Sequence, residues 1–189
     1  FEDKIENEIR LLTREEVEQN PEKILNTAKD KKVAFLVAGD PMVATTHVDL
    51  RLRADDMGTE TKLVHGASIQ TAAPGLAGLQ SYKFGRAATL PLPEKPSDTP
   101  YEVLEKNQEL GLHTFLLLDI EAENERYLEA DEGIEYLLKL ERKLNRGVFS
   151  EEKLTVVVAR AGSSDTMVRA DKAGVLTKED FGEPPHSLI

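Results

Sequence analysis

Cysteine and tryptophan are both absent from the 189 residues, and aromatic residues make up only 5%. The absence of cysteine excludes a disulfide scaffold, a cysteine-ligated zinc site and a thiol nucleophile. No window reaches 18 consecutive apolar residues, and no basic segment precedes an apolar run as in a signal peptide. We therefore expect a cytoplasmic protein without a membrane span.

Basic residues are scarce relative to acidic ones. The chain has 24 Lys and Arg against 35 Asp and Glu, which gives a formal net charge of −11. This balance argues against a nucleic-acid partner, because binding to phosphate backbones requires positive charge. With 40% hydrophobic residues the chain can bury a core, and its length allows one large domain or two small ones.

Apolar runs alternate with helical patterns along the chain. Residues 33–37 and 61–65 are predicted to form strands, and each is followed by a helical pattern. The second half repeats the arrangement, and such alternation is typical of βαβ units in an α/β fold. A stretch rich in Gly and Pro begins at Pro74, so we predict an N-terminal α/β domain over residues 1–78 and a C-terminal α/β domain over 79–189. Further strands are predicted at 87–90, 113–118 and 154–159, and helices at 20–29, 68–79, 101–110 and 134–144.

Common catalytic motifs are missing from the sequence. It contains no G-x-x-x-x-G-K-[ST] phosphate-binding loop and no G-x-S-x-G nucleophile elbow. The four histidines, at 47, 65, 113 and 186, lack the spacing of metal ligands, so we expect no metal site.

Polar or small residues follow each predicted strand, where ligands collect in open α/β sheets. Asp40 follows the first strand and precedes Pro41, so it either caps the next helix or presents a carboxylate to a ligand. Ser68 leaves the same two alternatives open. Leu118 and Ala161 lie at the ends of two later strands. The shared position of these residues favours one ligand site, without identifying the ligand.

Seven short runs in the expected order resemble the diphthine synthases, a branch of the tetrapyrrole methylase-like (class III) S-adenosylmethionine methyltransferases. The G-D-P turn at 39–41 is shared across that superfamily, whereas the A-T-T-H extension at 44–47 is more specific to the branch. The E-D-F-G-E-P-P-H segment at 179–186 is specific in the same way. The other runs are residues 66–69, 82–85, 111–114, 118–120 and 159–163.

The resemblance implies two small α/β domains with a cofactor cleft between them, and a homodimer. It also implies that the N- and C-terminal ends of the family fold are missing, including its first strand with a Gly-rich loop. A polypeptide limited to residues 1–189 is therefore expected to bind the cofactor poorly. The contacts to S-adenosylmethionine implied by the resemblance are Asp40, Val43, Ser68, Ile69, Leu118, Ala161 and His186.

The implied reaction is methylation of the amino group of a modified histidine on translation elongation factor 2, a step in diphthamide biosynthesis. A sulfonium methyl group is already a good electrophile, so alignment of the reactants is the main requirement, and no catalytic residue is nominated. Two alternatives stay open. A corrin or porphyrin methyltransferase shares the fold and the cofactor, and a non-catalytic interaction module would use Asp40 and Ser68 only as caps.

Overall fold

The computed structural model describes residues 9–189. The chain divides into two compact units, one ending at Ser68 and the other running from Ile69 to Ile189. This division lies ten residues before the sequence-based boundary at 78/79, which stays a prediction for the domains of the family.

The described part of the first unit contains three helices, α1 (Arg14–Glu18), α2 (Glu22–Asp30) and α3 (His47–Asp56). The Thr13 hydroxyl accepts a hydrogen bond from the Glu16 backbone N–H, and the Glu16 carboxylate accepts one from the Thr13 N–H. This capping box fixes the start of α1. The sequence predicts a helix from residue 20, whereas α2 begins at Glu22 after the N-cap Pro21.

The strands predicted at residues 33–37 and 61–65 are not formed in the first unit. Both segments lack strand pairing, and Val33, Leu36 and Val37 are 39%, 50% and 37% exposed. A strand needs a neighbour that completes its hydrogen-bond ladder, and residues 9–68 supply none. The apolar pattern in these two segments was therefore not a sign of a sheet.

The second unit is built on a mixed five-stranded sheet, which confirms the α/β class. Its strands are β1 (Ala88–Leu90), β2 (Leu116–Leu118), β5 (Leu154–Ala159), β6 (Met167–Lys172) and β7 (His186–Leu188), in the order β1-β2-β7-β5-β6. Strands β1 and β2 are parallel, and the other pairs are antiparallel. A separate hairpin joins β3 (Ile120–Glu121) to β4 (Arg126–Tyr127).

Four α-helices and two 3-10 turns complete the second unit. The longest helix carries acidic residues in its first turn and basic residues in its last, which suits the helix dipole. Within residues 9–189, no helix combines the length and the apolar character needed to cross a membrane. The helices are α4 (Ile69–Leu76), α5 (Thr99–Glu109), α6 (Ala130–Leu144) and α7 (Ala173–Leu176), and the turns are Ser81–Lys83 and Ala122–Asn124.

Helix α6 packs on one face of the sheet, and α4 contributes to the other. Gly133 lets α6 approach closely, since a Cβ atom there would lie 3.0 Å from Leu118 Cδ2 and 3.2 Å from Leu90 Cδ1. On the opposite face, Ala73 of α4 forms a second cluster with Phe115 and Val158. Alternate residues of a strand face opposite sides, so β2 contributes Leu118 to the first face and Leu117 to the second.

A single carboxylate anchors the loop that leaves α6. Glu141 accepts hydrogen bonds of 2.8 Å from the backbone N–H groups of Gly147, Val148 and Phe149, and one of 2.7 Å from the Tyr101 hydroxyl. Burial works against ionisation, but the four donors outweigh it and lower the pKa of Glu141 to about 2.

Candidate functional site

Asp40 lies at the centre of a compact loop arrangement in the first unit. Its Oδ1 accepts a 2.9 Å hydrogen bond from the Met42 N–H, and its Oδ2 accepts one of 3.3 Å from the Gly66 N–H. The same Oδ2 lies 2.8 Å from Nδ1 of His65. The Met42 N–H and then His65 hold the pKa of this carboxyl below its ordinary value, although its side chain is only 8% exposed. Asp40 is therefore a carboxylate at neutral pH.

The capping alternative for Asp40 does not hold for helix α3. That helix begins at His47 after a Thr46 N-cap, whereas the Asp40 side chain closes a turn onto Met42. Val43 continues the turn by donating its N–H to the Asp40 carbonyl at 3.3 Å. Asp40 and Val43 thus belong to one tight loop that ends before the helix starts.

Two glycines allow the loop of Asp40 to meet the loop of His65. Gly39 has φ +87°, a conformation that L side chains rarely adopt. A Cβ atom on Gly66 would lie well inside 3.0 Å of the Gly39 carbonyl oxygen. Ser68, half-buried, follows two residues later and ends the first unit. The structure therefore brings Asp40, Val43 and Ser68 into one pair of contacting loops.

In the second unit, Ile69 and Ala161 share one face of the sheet. Ile69 is the first residue of α4, and Ala161 follows the end of β5. Both pack against the cluster of Ala73, Phe115 and Val158. Two residues predicted from strand ends that are far apart in sequence thus contact one apolar cluster.

Leu118 and His186 lie in neighbouring strands on the other face. Leu117 pairs with Ser187 and Ala159 pairs with His186, so His186 lies between the carboxyl ends of β2 and β5. Leu118 is buried in the larger core. Leu118, Ala161 and His186 therefore lie at one end of the sheet, and Ile69 shares an apolar cluster with Ala161.

The His186 ring is held by the protein itself. Its Nδ1 accepts a 3.2 Å hydrogen bond from the Ala130 N–H, so Nε2 carries the proton and donates to the Glu183 carbonyl at 3.2 Å. Burial lowers the pKa of His186, against the opposing effect of the bond to Glu183. The resemblance implies a cofactor contact at His186, and both of its ring nitrogens already have protein partners.

Two side chains that contact the candidate site or its loops were not among the residues predicted from the sequence. His65 was assigned to a strand, and nothing in its local pattern links it to Asp40, 25 residues away.

Arg160 has φ +50° and donates through Nη1 to the carbonyls of Phe181 and Glu183, and through Nε to Asp165 at 2.6 Å. It ties the loop after β5 to the segment before β7. The sequence feature that could have pointed to Arg160 is its position directly after a predicted strand.

Comparisons with known proteins find matches over most of the chain. A family model described as Tetrapyrrole (Corrin/Porphyrin) Methylases matches residues 2–176. The chain is 48% identical over 188 residues to diphthine synthase of Methanosarcina acetivorans, covering 96% of this chain and 70% of that protein. It is 48% identical over 192 residues to diphthine synthase of Methanothermobacter thermautotrophicus, covering 100% and 72%. A crystal structure of diphthine synthase superposes with a TM-score of 0.84 at 38% identity, covering 94% of this chain and 66% of that one. The chain thus spans about two thirds of that solved structure.

Proposed function

The chain belongs to the tetrapyrrole methylase family and, within it, to the diphthine synthases, and from this membership we propose that it is an S-adenosylmethionine-dependent methyltransferase of diphthamide biosynthesis. The family is one of enzymes that take their methyl group from this cofactor. Among the features of the chain itself, the paired loops around Asp40 support the proposal best, because they present an ionised carboxylate beside two closely packed glycine backbones.

We propose cofactor contacts from both units. Asp40, Val43 and Ser68 are the proposed contacts from the first unit. An ionised carboxylate suits the α-ammonium group of the methionine part, and the exposed Gly39 and Gly66, which have no side chains, allow a ligand to approach the backbone closely. The proposed contacts from the second unit are Ile69, Leu118, Ala161 and His186, which supply apolar surface and backbone for the adenine.

The bound cofactor supplies a methyl group on a positively charged sulfur, which makes that carbon electrophilic. The work left to the protein is to hold the acceptor amine and the methyl carbon in line and to exclude water. The rigid turn at Asp40 serves this purpose, because its carboxylate is fixed by Met42, Gly66 and His65 rather than free to rotate.

The proposed substrate is translation elongation factor 2 carrying an aminocarboxypropyl group on a histidine. The methyl group goes to the amino nitrogen of that added group. This assignment comes from the diphthine synthases that the chain resembles at 45–50% identity. Because the substrate is a translation factor, we place the enzyme in the cytoplasm.

We also propose that the protein is a homodimer. An α/β unit whose sheet ends in an edge strand gains from covering that edge, and β6 pairs only with β5 in the described residues. Sedimentation at micromolar concentration is expected to give twice the mass of one chain, and a monomer would contradict the proposal.

A corrin or porphyrin methyltransferase is the second candidate, and it is favoured by the description of the family model itself. It shares the cofactor and the fold, so only the acceptor distinguishes it. A non-catalytic module is the third, and it predicts no cofactor binding at all.

Calorimetric titration with S-adenosylhomocysteine, on the protein at its natural length, tests the proposed cofactor site. Asp40→Ala is expected to weaken binding by about tenfold or more, and to weaken binding more than it weakens folding. Asp56→Ala, an exposed carboxylate at the end of α3, is the matched control and is expected to bind normally. Unchanged affinity in Asp40→Ala would leave Asp40 with a purely structural role.

A further inference from the structure

His65 and Asp40 form a pair whose geometry goes beyond cofactor binding. The carboxylate can only accept, so His65 donates its Nδ1–H to Asp40 Oδ2 at 2.8 Å. In a neutral imidazole this tautomer leaves the lone pair on Nε2. The Asp40 side chain is 8% exposed and that of His65 is 70% exposed, so the buried carboxylate orients a ring that stands in solvent.

The other histidines with nitrogen contacts are held differently. His47 donates its Nδ1–H to the Pro41 carbonyl at 2.9 Å and packs edge-on against Phe35. Both nitrogens of His186 are bonded inside the second unit. Within residues 9–189, Asp40 is the ionisable side chain that contacts His65. His65 thus combines a carboxylate partner with an exposed ring.

We propose that His65 is the proton acceptor of the methyl transfer and that Asp40 is its positioning residue. The inference rests on the proposed function, since it concerns the amine that accepts the methyl group. Amines of this kind are mostly protonated at neutral pH and then have no lone pair with which to attack. Imidazole is the side chain suited to accept a proton in that range.

The proposed step balances as follows. Nε2 of His65 takes one proton from the substrate ammonium, R–NH3+, and leaves R–NH2. The nitrogen lone pair forms the bond to the methyl carbon while the bond from that carbon to sulfur breaks, and its electron pair stays on sulfur. The products are R–NH2–CH3+ and the neutral thioether, S-adenosylhomocysteine. The imidazolium then gives its proton to water and is ready for a further transfer.

The kinetic test compares His65→Gln with the natural protein on elongation factor 2 that carries the aminocarboxypropyl group. At pH 7 the variant is expected to lose about 100-fold in kcat/KM, in line with general base catalysis. The loss should shrink to less than about threefold near pH 10, where the amine is already neutral. His113→Gln, an exposed histidine packed on Phe84 in the second unit, is the control and should keep its activity. Added imidazole should restore part of the activity of His65→Ala.

A second readout does not depend on turnover. Nitrogen-15 NMR of the histidine rings at pH 8 should show His65 protonated on Nδ1, and this preference should weaken in Asp40→Asn. Affinity for S-adenosylhomocysteine should stay within about threefold in His65→Gln, because Asp40 keeps its carboxylate and its two backbone donors.

The outcomes separate this inference from the proposed function. A natural protein that methylates the factor, with His65→Gln equally active or equally impaired at every pH, overturns the role of His65 alone. A His65 ring protonated on Nε2 instead of Nδ1 also overturns its role as the proton acceptor. A natural protein that binds the cofactor but leaves the factor unmethylated overturns the proposed function, and the role of His65 with it.

Discussion

The α-carbon of Gly66 lies against the carbonyl oxygen of Gly39, leaving no room for a Cβ atom between the two loops. This contact sets how close the Gly66 N–H comes to the Asp40 carboxylate. It also sets how close His65 comes to the same carboxylate. The packing of two glycine backbones therefore controls the geometry of the proposed site.

Gly66→Ala is expected to push these loops apart. Overpacking by one methyl group costs about 1–3 kcal/mol, and the same displacement should weaken S-adenosylhomocysteine binding by about 10- to 100-fold. Calorimetry and thermal unfolding measure the two effects. Gly75→Ala is the matched control, since a Cβ atom there meets nothing within 4 Å and alanine favours its helix. Equal affinities in the two variants would contradict the importance of the glycine contact.

Gly85→Ala is expected to destabilise the second unit without touching the proposed site. A Cβ atom there would collide with the side-chain amide of Asn107. That buried amide accepts from the Arg86 N–H at 3.2 Å and donates to the Arg86 carbonyl at 2.8 Å and to the Thr114 hydroxyl at 2.9 Å. Displacing this amide leaves buried polar groups without partners, which lowers the free energy of unfolding by about 1–3 kcal/mol. Urea unfolding checks the prediction, and a variant as stable as Gly75→Ala would refute it.

Glu141→Gln should remove a pH-dependent part of the stability. The pKa of Glu141 is about 2 in the folded protein, below its ordinary value of 4.5, so its contribution is complete above pH 4.5 and is lost as the pH falls toward 2. At pH 6 the variant should be less stable by about 2–3 kcal/mol, after allowance for solvent screening.

Urea unfolding between pH 2.5 and pH 6 measures this difference. The gap between Glu141→Gln and the natural protein should narrow steadily as the pH falls. Glu135→Gln, on the same helix, loses only an exposed ion pair with Arg142 at 3.7 Å and should change stability little. A gap that stays constant with pH would show that hydrogen bonding to ionised Glu141 is not its source.

The local patterns of the sequence predicted the second unit better than the first. The strand predicted at 154–159 is found with those bounds, and the strands predicted at 87–90 and 113–118 are found in shorter form. Each of the three has a neighbour in the same sheet. The run at 33–37 has the same apolar character but no paired neighbour among the described residues, and pairing is a property that local pattern does not contain.

The candidate site likewise depends on contacts that the local sequence pattern does not contain. The position of Asp40 after an apolar run pointed to a ligand loop, but its partner His65 is 25 residues away and came to light only through the structure. His186 was found through its motif, whereas the occupation of both ring nitrogens depends on the fold of α6 and on Glu183. Sequence patterns identified candidate positions, and the fold determines which atoms at each position already have protein partners.

Transfer of an isotope-labelled methyl group from S-adenosylmethionine identifies the acceptor of the proposed reaction. The protein at its natural length would be offered elongation factor 2 with and without the aminocarboxypropyl group on its histidine, beside a corrin or porphyrin acceptor, and the label located by mass spectrometry. We expect label on the amino nitrogen of the modified histidine, and none on the unmodified factor or the macrocycle. Label on the macrocycle, with the modified factor unlabelled, would contradict it.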